Sequence, residues 1–170
     1  MKKTNRTPKK SSALDRRDFI KTGAAAAAVS SLSIERGAFA QASDTVKVAL
    51  IGCGGRGSGA ANQALSTNGD VKLVAMADAF KDRMDGSQKG LQRAHGLKVD
   101  VKDENKFVGF DAYKEAIALA DMVILATPPG FRPVHFAEAV KQGKHVFMEK
   151  PVAVDGQGVR QVLAAAQEAK

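Results

Sequence analysis

The fold is decided by residues 46–57, which read Val-Lys-Val-Ala-Leu-Ile-Gly-Cys-Gly-Gly-Arg-Gly. The alternating apolar residues predict a β-strand, and this strand runs directly into the pattern Gly-x-Gly-x-x-Gly. Gly52 allows a sharp turn off the strand, Gly54 leaves the backbone open to a pyrophosphate, and Gly57 lets the next helix pack closely on the sheet. The phosphates would then lie at the N-terminus of that helix, where free N–H groups and the helix dipole favour negative charge. The stretch therefore predicts a dinucleotide site.

Three other residues of the same loop, Gly55, Arg56 and Cys53, are interpreted one by one. Gly55 is expected beside the phosphates because it sits between Gly54 and the helix. Arg56 either reaches the phosphates or is solvated, and its position favours neither. Cys53 is the one cysteine of the chain, so it cannot form an intramolecular disulfide. We interpret it as a small residue tolerated near a phosphate rather than a nucleophile, because no histidine is near it in sequence.

An acidic residue follows the next predicted strand. Residues 71–77 are mostly apolar and end at Asp78, which lies 21 residues past Gly57. A dinucleotide fold places there the acid that binds the adenosine ribose. A free carboxylate would repel a 2′-phosphate, so we expect NAD rather than NADP, unless Lys81 and Arg83 just beyond it compensate. The alternative is an aspartate that only caps the strand-to-helix turn.

The N-terminal segment has the features of a targeting signal, in the right order. A basic stretch from Lys2 to Lys10 precedes Arg16-Arg17, an alanine-rich run and then Ala38-Phe39-Ala40, a triplet typical of signal-peptidase sites. We predict a twin-arginine export signal at residues 1–40, a folded domain at residues 41–170, a periplasmic or otherwise exported location, and the twin-arginine translocase as a partner during export. A basic amphipathic helix at the start of a domain is the alternative. The apolar run is too short and too rich in alanine to be a stable membrane anchor.

The charge of the chain belongs mostly to this signal. Of 26 basic and 18 acidic residues, residues 1–40 hold 9 and 3, which leaves 17 and 15 in the rest of the chain. The high isoelectric point therefore gives no reason to expect nucleic-acid binding by the mature protein. The three histidines show no metal-ligand spacing, so no metal site is expected; we place His135 on a helix surface and His145 at a strand end.

Strand and helix patterns alternate through the remaining 130 residues. This alternation predicts an α/β fold of the Rossmann type, a doubly wound parallel sheet with right-handed crossovers. The later elements are predicted as a helix at 80–95, a short third strand at 97–101, a helix at 111–119, a buried strand at 121–126, a helix at 132–142, a strand at 144–148 and a last helix from about 155, with Val159, Val162, Leu163 and Ala166 on one face.

Two more motifs point to a family. Ala126-Thr127-Pro128-Pro129 follows the buried strand, and residues 143–151 read Gly-Lys-His-Val-Phe-Met-Glu-Lys-Pro. With the glycine loop, these motifs resemble the glucose–fructose oxidoreductase, inositol dehydrogenase and rhizopine-catabolism (Gfo/Idh/MocA) family, in its exported branch, over the whole of residues 45–170. The resemblance implies an NAD(P)-dependent oxidoreductase that acts on a sugar, cyclitol or polyol by hydride transfer.

The resemblance also implies roles for particular residues. Lys150 would lie by the nicotinamide and the substrate and polarise the reacting oxygen, which makes it the candidate catalytic residue as well as a cofactor neighbour. Glu149 would hold Lys150 or ribose hydroxyls, and Thr127 and Pro128 would border the cofactor. A surface lysine with Pro151 merely ending a strand is the alternative for Lys150.

Other functions stay open on the sequence. Some members of the family are NAD-dependent glycosidases, and a non-catalytic dinucleotide-binding fragment is a third possibility. Family members continue into a second, α+β domain that carries the substrate pocket, further catalytic residues and the oligomer interface. The sequence stops at Lys170, so we expect that domain to be absent from this chain. We therefore expect a truncated chain that binds cofactor and does little more alone, and a homo-oligomer only where the second domain is present.

Overall fold

The computed structural model describes residues 45–169. The predicted export signal at 1–40 and the predicted domain start at residue 41 lie outside the described residues, so that boundary stays a prediction. The strands are β1 (Val46–Ile51), β2 (Val71–Asp78), β3 (Lys106–Val108), β4 (Met122–Leu125) and β5 (His145–Met148). The helices are α1 (Gly55–Leu65), α2 (Lys81–His95), α3 (Tyr113–Ala118), α4 (Arg132–Lys141) and α5 (Gly156–Glu168).

Within the described residues, the five strands form one parallel sheet in the order β3-β2-β1-β4-β5. These are the first five positions of the strand order of a doubly wound dinucleotide fold, and they confirm the predicted fold class. The order reverses between β1 and β4, where Val48 pairs with Met122 and Ile51 with Leu125. Ligands of such sheets bind at the carboxyl ends of the strands beside this reversal, so this edge is the place to look for a site.

The strand β1 is buried on both sides because helices cover both faces of the sheet. Its residues 48 to 51 are at most 2% exposed, and successive side chains point to opposite faces. Val48 and Leu50 pack in a cluster with apolar residues of α1 and α2. Ala49 and Ile51 pack in a second cluster with residues of α3 and α4. The two clusters hold the glycine loop, which follows Ile51, at the centre of the strand ends.

The predicted third strand at 97–101 is wrong. A turn of 3-10 helix occupies Gly96–Lys98, and Val99 makes only an isolated bridge with Leu73. The edge strand is instead β3, which pairs with the last three residues of β2. Val99 and Val101 are buried under the sheet edge, so their apolar alternation reports core packing and not a strand.

The last helix forms as predicted, but only part of its apolar face is covered by described residues: Val162 and Ala166 are half-buried. Val159 is 41% and Leu163 59% exposed, and Ala165 is the buried residue of the helix. Asp155 caps this helix through a 2.7 Å bond from the Gly158 N–H to its carboxylate. No helix within residues 45–169 has the length and apolar character needed to cross a bilayer.

Candidate dinucleotide-binding site

The glycine loop has the backbone that its sequence predicts. Gly52 has φ +92°, and a Cβ there would lie 2.6 Å from the Thr127 nitrogen. A Cβ on Gly57 would lie 1.9 Å from the Gly52 oxygen, so α1 sits directly against the end of β1. By contrast, a Cβ on Gly55 would meet nothing within 4 Å and one on Gly54 only the Arg83 guanidinium at 3.9 Å. The loop is thus packed on its sheet side and open on its outer side, as a phosphate cradle must be.

A cleft of about 410 Å³ opens on that outer side. It lies at the carboxyl ends of β1, β2 and β4, and Gly54 at its floor is the N-cap of α1 without a side-chain cap. The first N–H groups of a helix have no partner within the helix, so those of α1 are available to an anion. The predicted site residues that line the cleft are Gly52, Gly54, Gly55, Arg56, Gly57, Asp78, Thr127 and Pro128.

Asp78 both caps a turn and faces the cleft. Its Oδ1 accepts a 2.9 Å hydrogen bond from the Phe80 N–H, which is the capping role of the alternative interpretation. Its Oδ2 accepts a 2.6 Å bond from the Cys53 N–H and so ties β2 to the glycine loop. A carboxylate offers about four acceptor positions, which leaves about two for ribose hydroxyls. The two interpretations therefore do not exclude each other.

Burial makes Cys53 unreactive. The side chain is 3% exposed, and burial, with the nearby Asp78 charge, raises the pKa of its thiol far above the usual range. Since the thiolate is the reactive form, Cys53 is a packing residue of the loop, as interpreted.

The structure separates the two cations that the sequence places after Asp78. The Arg83 guanidinium lies 5.4 Å from the centre of the Phe80 ring and lines the cleft. Lys81 forms a 2.5 Å ion pair with Asp85 and lines a different groove. Of the two, Arg83 is therefore the one placed to act on a nucleotide.

His135 is buried, which corrects its predicted place on a helix surface. It is 6% exposed, its ring centre lies 4.2 Å from that of Tyr113, and its Nδ1 is 3.1 Å from the Thr127 hydroxyl. Burial lowers the pKa of His135 to about 4. The imidazole is therefore neutral at physiological pH and fixes the Thr127 side chain at the wall of the cleft. His145 is exposed at the start of β5, as predicted.

Glu149 and Arg56 join the glycine loop to the Glu-Lys-Pro motif. The Arg56 guanidinium lies 2.5 Å from Glu149 Oε1, with the Glu149 side chain 5% exposed and that of Arg56 61% exposed. This arginine holds the pKa of the Glu149 carboxyl below its usual range, against the opposing effect of burial. Arg56 is thus not simply solvated, and its contact with phosphates stays a prediction, since the rest of its guanidinium faces the cleft. The Glu149 carboxylate is engaged by Arg56 rather than by the Lys150 ammonium. Glu149 and Lys150 do not line the cleft; Lys150 is exposed and joined to Pro151 by a cis peptide bond.

Arg132 is a charged residue of the site that the sequence did not reveal. It begins α4, is 5% exposed and lines the cleft. Its Nε donates to the Thr127 oxygen at 2.8 Å, and its Nη1 donates to the oxygens of Glu149 and Pro151, each at 2.6 Å. Nothing in the sequence marks this arginine as buried, because the pattern Arg-Pro reads only as a helix start.

Comparison with known proteins agrees with this geometry. Residues 46–170 match the family model for the Gfo/Idh/MocA oxidoreductases, described as an oxidoreductase family with an NAD-binding Rossmann fold. Inositol 2-dehydrogenase of Rhizobium meliloti (strain 1021) is 32% identical over 126 residues, which are 74% of this chain and 34% of the relative. A glycosyl hydrolase family 109 protein of Solibacter usitatus is 30% identical over 113 residues, 64% of this chain and 25% of the relative. The chain thus spans about a third and a quarter of the length of these two relatives.

A solved structure shows the same architecture with cofactor present. The scyllo-inositol dehydrogenase of Lactobacillus casei, with bound NAD(H) and scyllo-inositol, superimposes with a TM-score of 0.59 at 28% identity, over 74% of this chain and 34% of that chain. Residues 13–33 match the twin-arginine translocation signal, so the chain carries the signal for export by that pathway. The protein belongs to the Gfo/Idh/MocA oxidoreductase family, and residues 46–170 are its NAD-binding Rossmann domain.

Proposed function

We propose that the protein transfers a hydride between NAD and a hydroxyl-bearing carbon of a sugar, cyclitol or related polyol. One observation carries the proposal: the glycine loop, Asp78 and the Thr127-Pro128 loop open into a single cleft at the reversal of the strand order. The substrate class is supported by the inositol dehydrogenases among the relatives.

The residues of the cleft suit a dinucleotide. The open side of Gly54 and Gly55 and the unpartnered N–H groups of α1 would hold the pyrophosphate. The remaining acceptor positions of Asp78 would take the adenosine ribose hydroxyls. Thr127 and Pro128 would border the nicotinamide half. When bound, NAD would supply the hydride acceptor, and Lys150 would donate a hydrogen bond to the substrate oxygen.

Cofactor binding tests the proposal most directly. We expect the purified protein to bind NAD and NADH in a calorimetric titration, and Asp78→Ala to weaken both. We also expect NADH to form when a version extended by the family's second domain is incubated with NAD and a panel of inositols and sugars. Failure of the wild-type protein to bind either nucleotide would refute the proposal.

A second candidate function is an NAD-dependent glycosidase. It is favoured by the glycosyl hydrolase family 109 proteins among the relatives, of which that of Phocaeicola vulgatus is 33% identical over 112 residues. In that reaction the sugar is transiently oxidised, undergoes elimination and addition, and is reduced again, so NAD is not consumed. Cleavage of an aryl glycoside without net NADH would favour this function, and net NADH without cleavage would favour the first.

A further inference from the structure

Arg132 occupies a position that is costly for a cation. Its side chain lies under the surface of the cleft, and within residues 45–169 it forms no ion pair with a carboxylate. Burial lowers the pKa of the guanidinium, and the charge of Glu149 opposes this effect only in part. Removing a charge from water is unfavourable unless hydrogen bonds replace the lost hydration, and a well-packed apolar side chain often fills such a space at lower cost. We therefore expect the buried Arg132 to have a specific role.

The three acceptors of Arg132 share one property: they belong to the two loops that carry the predicted nicotinamide-side residues. The Thr127 oxygen lies in the loop after β4, and the oxygens of Glu149 and Pro151 stand on either side of Lys150. One planar guanidinium therefore joins both loops and brackets Lys150. A lysine would lack the rigid fork needed to reach all three oxygens in these directions.

Lys150 depends on its backbone for its position. Within the described residues its ammonium makes no hydrogen bond or ion pair, and the segment around it belongs to neither β5 nor α5. The backbone is held from one side by the Glu149 N–H, which donates to the Leu125 oxygen at 3.0 Å. It is held from the other side by Arg132. Without Arg132, the turn that presents Lys150 would lose its contacts with α4 at both flanking carbonyls.

The strand order also indicates which half of the dinucleotide would lie beside Arg132 and Lys150. In a doubly wound sheet the two halves of the ligand lie on opposite sides of the reversal of strand order. Asp78 ends β2 on one side, so the adenosine half belongs there. Arg132 follows β4 on the other side, together with Lys150 after β5.

We infer that Arg132 is a positioning residue, which fixes the Glu149–Pro151 turn against the Thr127 loop and so sets the place of the Lys150 ammonium at the nicotinamide half. The inference rests on the proposed function, because it assumes that NAD occupies the cleft.

The experiment compares two ligands that differ in the nicotinamide half. NADH and ADP-ribose are titrated against the wild-type chain, Arg132→Lys, and Arg93→Lys as a matched control, since Arg93 is an exposed arginine of α2. We expect Arg132→Lys to weaken NADH binding about tenfold, by the loss of charge-assisted bonds that order the loops, and to change ADP-ribose binding less than about twofold. Added millimolar guanidinium should restore NADH binding to Arg132→Ala. In a Lys150→Met background, Arg132→Lys should have little further effect on NADH affinity, because one residue acts through the other.

Several results would overturn the inference. Equal losses for NADH and ADP-ribose would show a general structural role, and an undiminished effect in Lys150→Met would show that Arg132 does not act through Lys150. If the wild type binds neither ligand, both the proposed function and the inference fail. If the wild type binds both ligands and Arg132→Lys binds them with the same affinities, the inference alone fails.

A measurement on the wild-type chain keeps the inference testable if the variants do not fold. Backbone amide order parameters of Glu149, Lys150 and Val152 should be about 0.85, as in regular structure, although this segment is neither helix nor strand. Values below about 0.6 would show that Arg132 does not hold the turn.

Discussion

Substitution of Gly54 by alanine should separate the binding role of the glycine loop from its structural role. Gly54 has φ −70°, which any residue adopts, and a Cβ there would meet only Arg83 at 3.9 Å. The fold should therefore tolerate Gly54→Ala within about 1 kcal/mol, since replacing an N-cap glycine is the main loss. The new methyl group would stand on the open side of the loop, where the pyrophosphate must approach. We expect NAD affinity to fall at least about tenfold.

Gly57→Ala provides the contrast. Its Cβ would lie 1.9 Å from the Gly52 oxygen, and real Cβ contacts essentially never fall below 3.0 Å, so helix and strand must separate by about 1.1 Å or distort. Because the clashing atom is backbone, no side-chain rotation relieves it. Overpacking of this kind costs about 3 kcal/mol, a large part of the stability of a small domain.

Gly59→Ala is the matched control, because a Cβ there meets nothing within 4 Å and the position lies inside α1. Alanine should raise the free energy of unfolding by up to about 1 kcal/mol and leave NAD affinity unchanged. The assays are urea unfolding followed by circular dichroism, and calorimetric titration with NAD. Unchanged NAD affinity in Gly54→Ala, or a loss of stability as large as that in Gly57→Ala, would refute the reasoning.

Three further predictions follow from the site and the signal. NADP affinity should fall in Arg83→Met more than NAD affinity does, and stay unchanged in Lys81→Met; equal effects of the two substitutions, measured by titration with both nucleotides, would contradict the assignment. The pKa of His135 is about 6.5 in the unfolded chain and is lowered to about 4 in the fold, so between these pH values only the unfolded chain binds the proton. The neutral histidine therefore contributes up to about 3 kcal/mol of stability, which is present above pH 6.5 and is lost as the pH falls towards 4. Urea unfolding across this range should show a weaker pH dependence in His135→Gln than in the wild type, and identical curves would contradict the burial argument. Replacing Arg16 and Arg17 by lysines should block export and leave NAD affinity unchanged. Wild-type protein recovered after export should retain bound nicotinamide nucleotide through dialysis, because a protein that is exported folded loads its cofactor in the cytoplasm and cannot readily replace a lost cofactor outside. An empty, freely exchanging site would argue against this link between export and cofactor retention.

Short-range features of the site were predictable because they are encoded by spacing along the chain. A strand, a turn glycine and a helix within twelve residues leave few arrangements, and the loop of residues 46–57 forms as its glycines require. Asp78 could be placed for the same reason, since the βαβ unit fixes its distance from the loop. The cofactor roles of these residues stay predictions until a nucleotide is titrated.

Features that depend on packing between distant segments could not be predicted. Val99 and Val101 alternate as a strand would, but they fill the core beneath the sheet edge, where the segment makes one isolated bridge to β2. The continuous ladder on this edge of β2 is formed by Lys106–Val108. The burial of His135 depends on Tyr113, 22 residues earlier in the chain. Arg132 is also beyond sequence reasoning, because its acceptors on the Glu-Lys-Pro turn lie 17 and 19 residues away and are backbone atoms, which have no sequence signature.

The double engagement of Asp78 constrains how nucleotide preference can change. The carboxylate that faces the adenosine side of the cleft also accepts the Cys53 N–H, and so it helps to shape the pyrophosphate loop from 25 residues away. A substitution at position 78 that admits a 2′-phosphate would therefore loosen the cradle for the phosphates that both nucleotides share. Arg83 makes no such contact with the loop backbone and lies against the exposed Phe80 ring. Selection for a different dinucleotide, in nature or in the laboratory, can thus vary position 83 at lower cost than position 78.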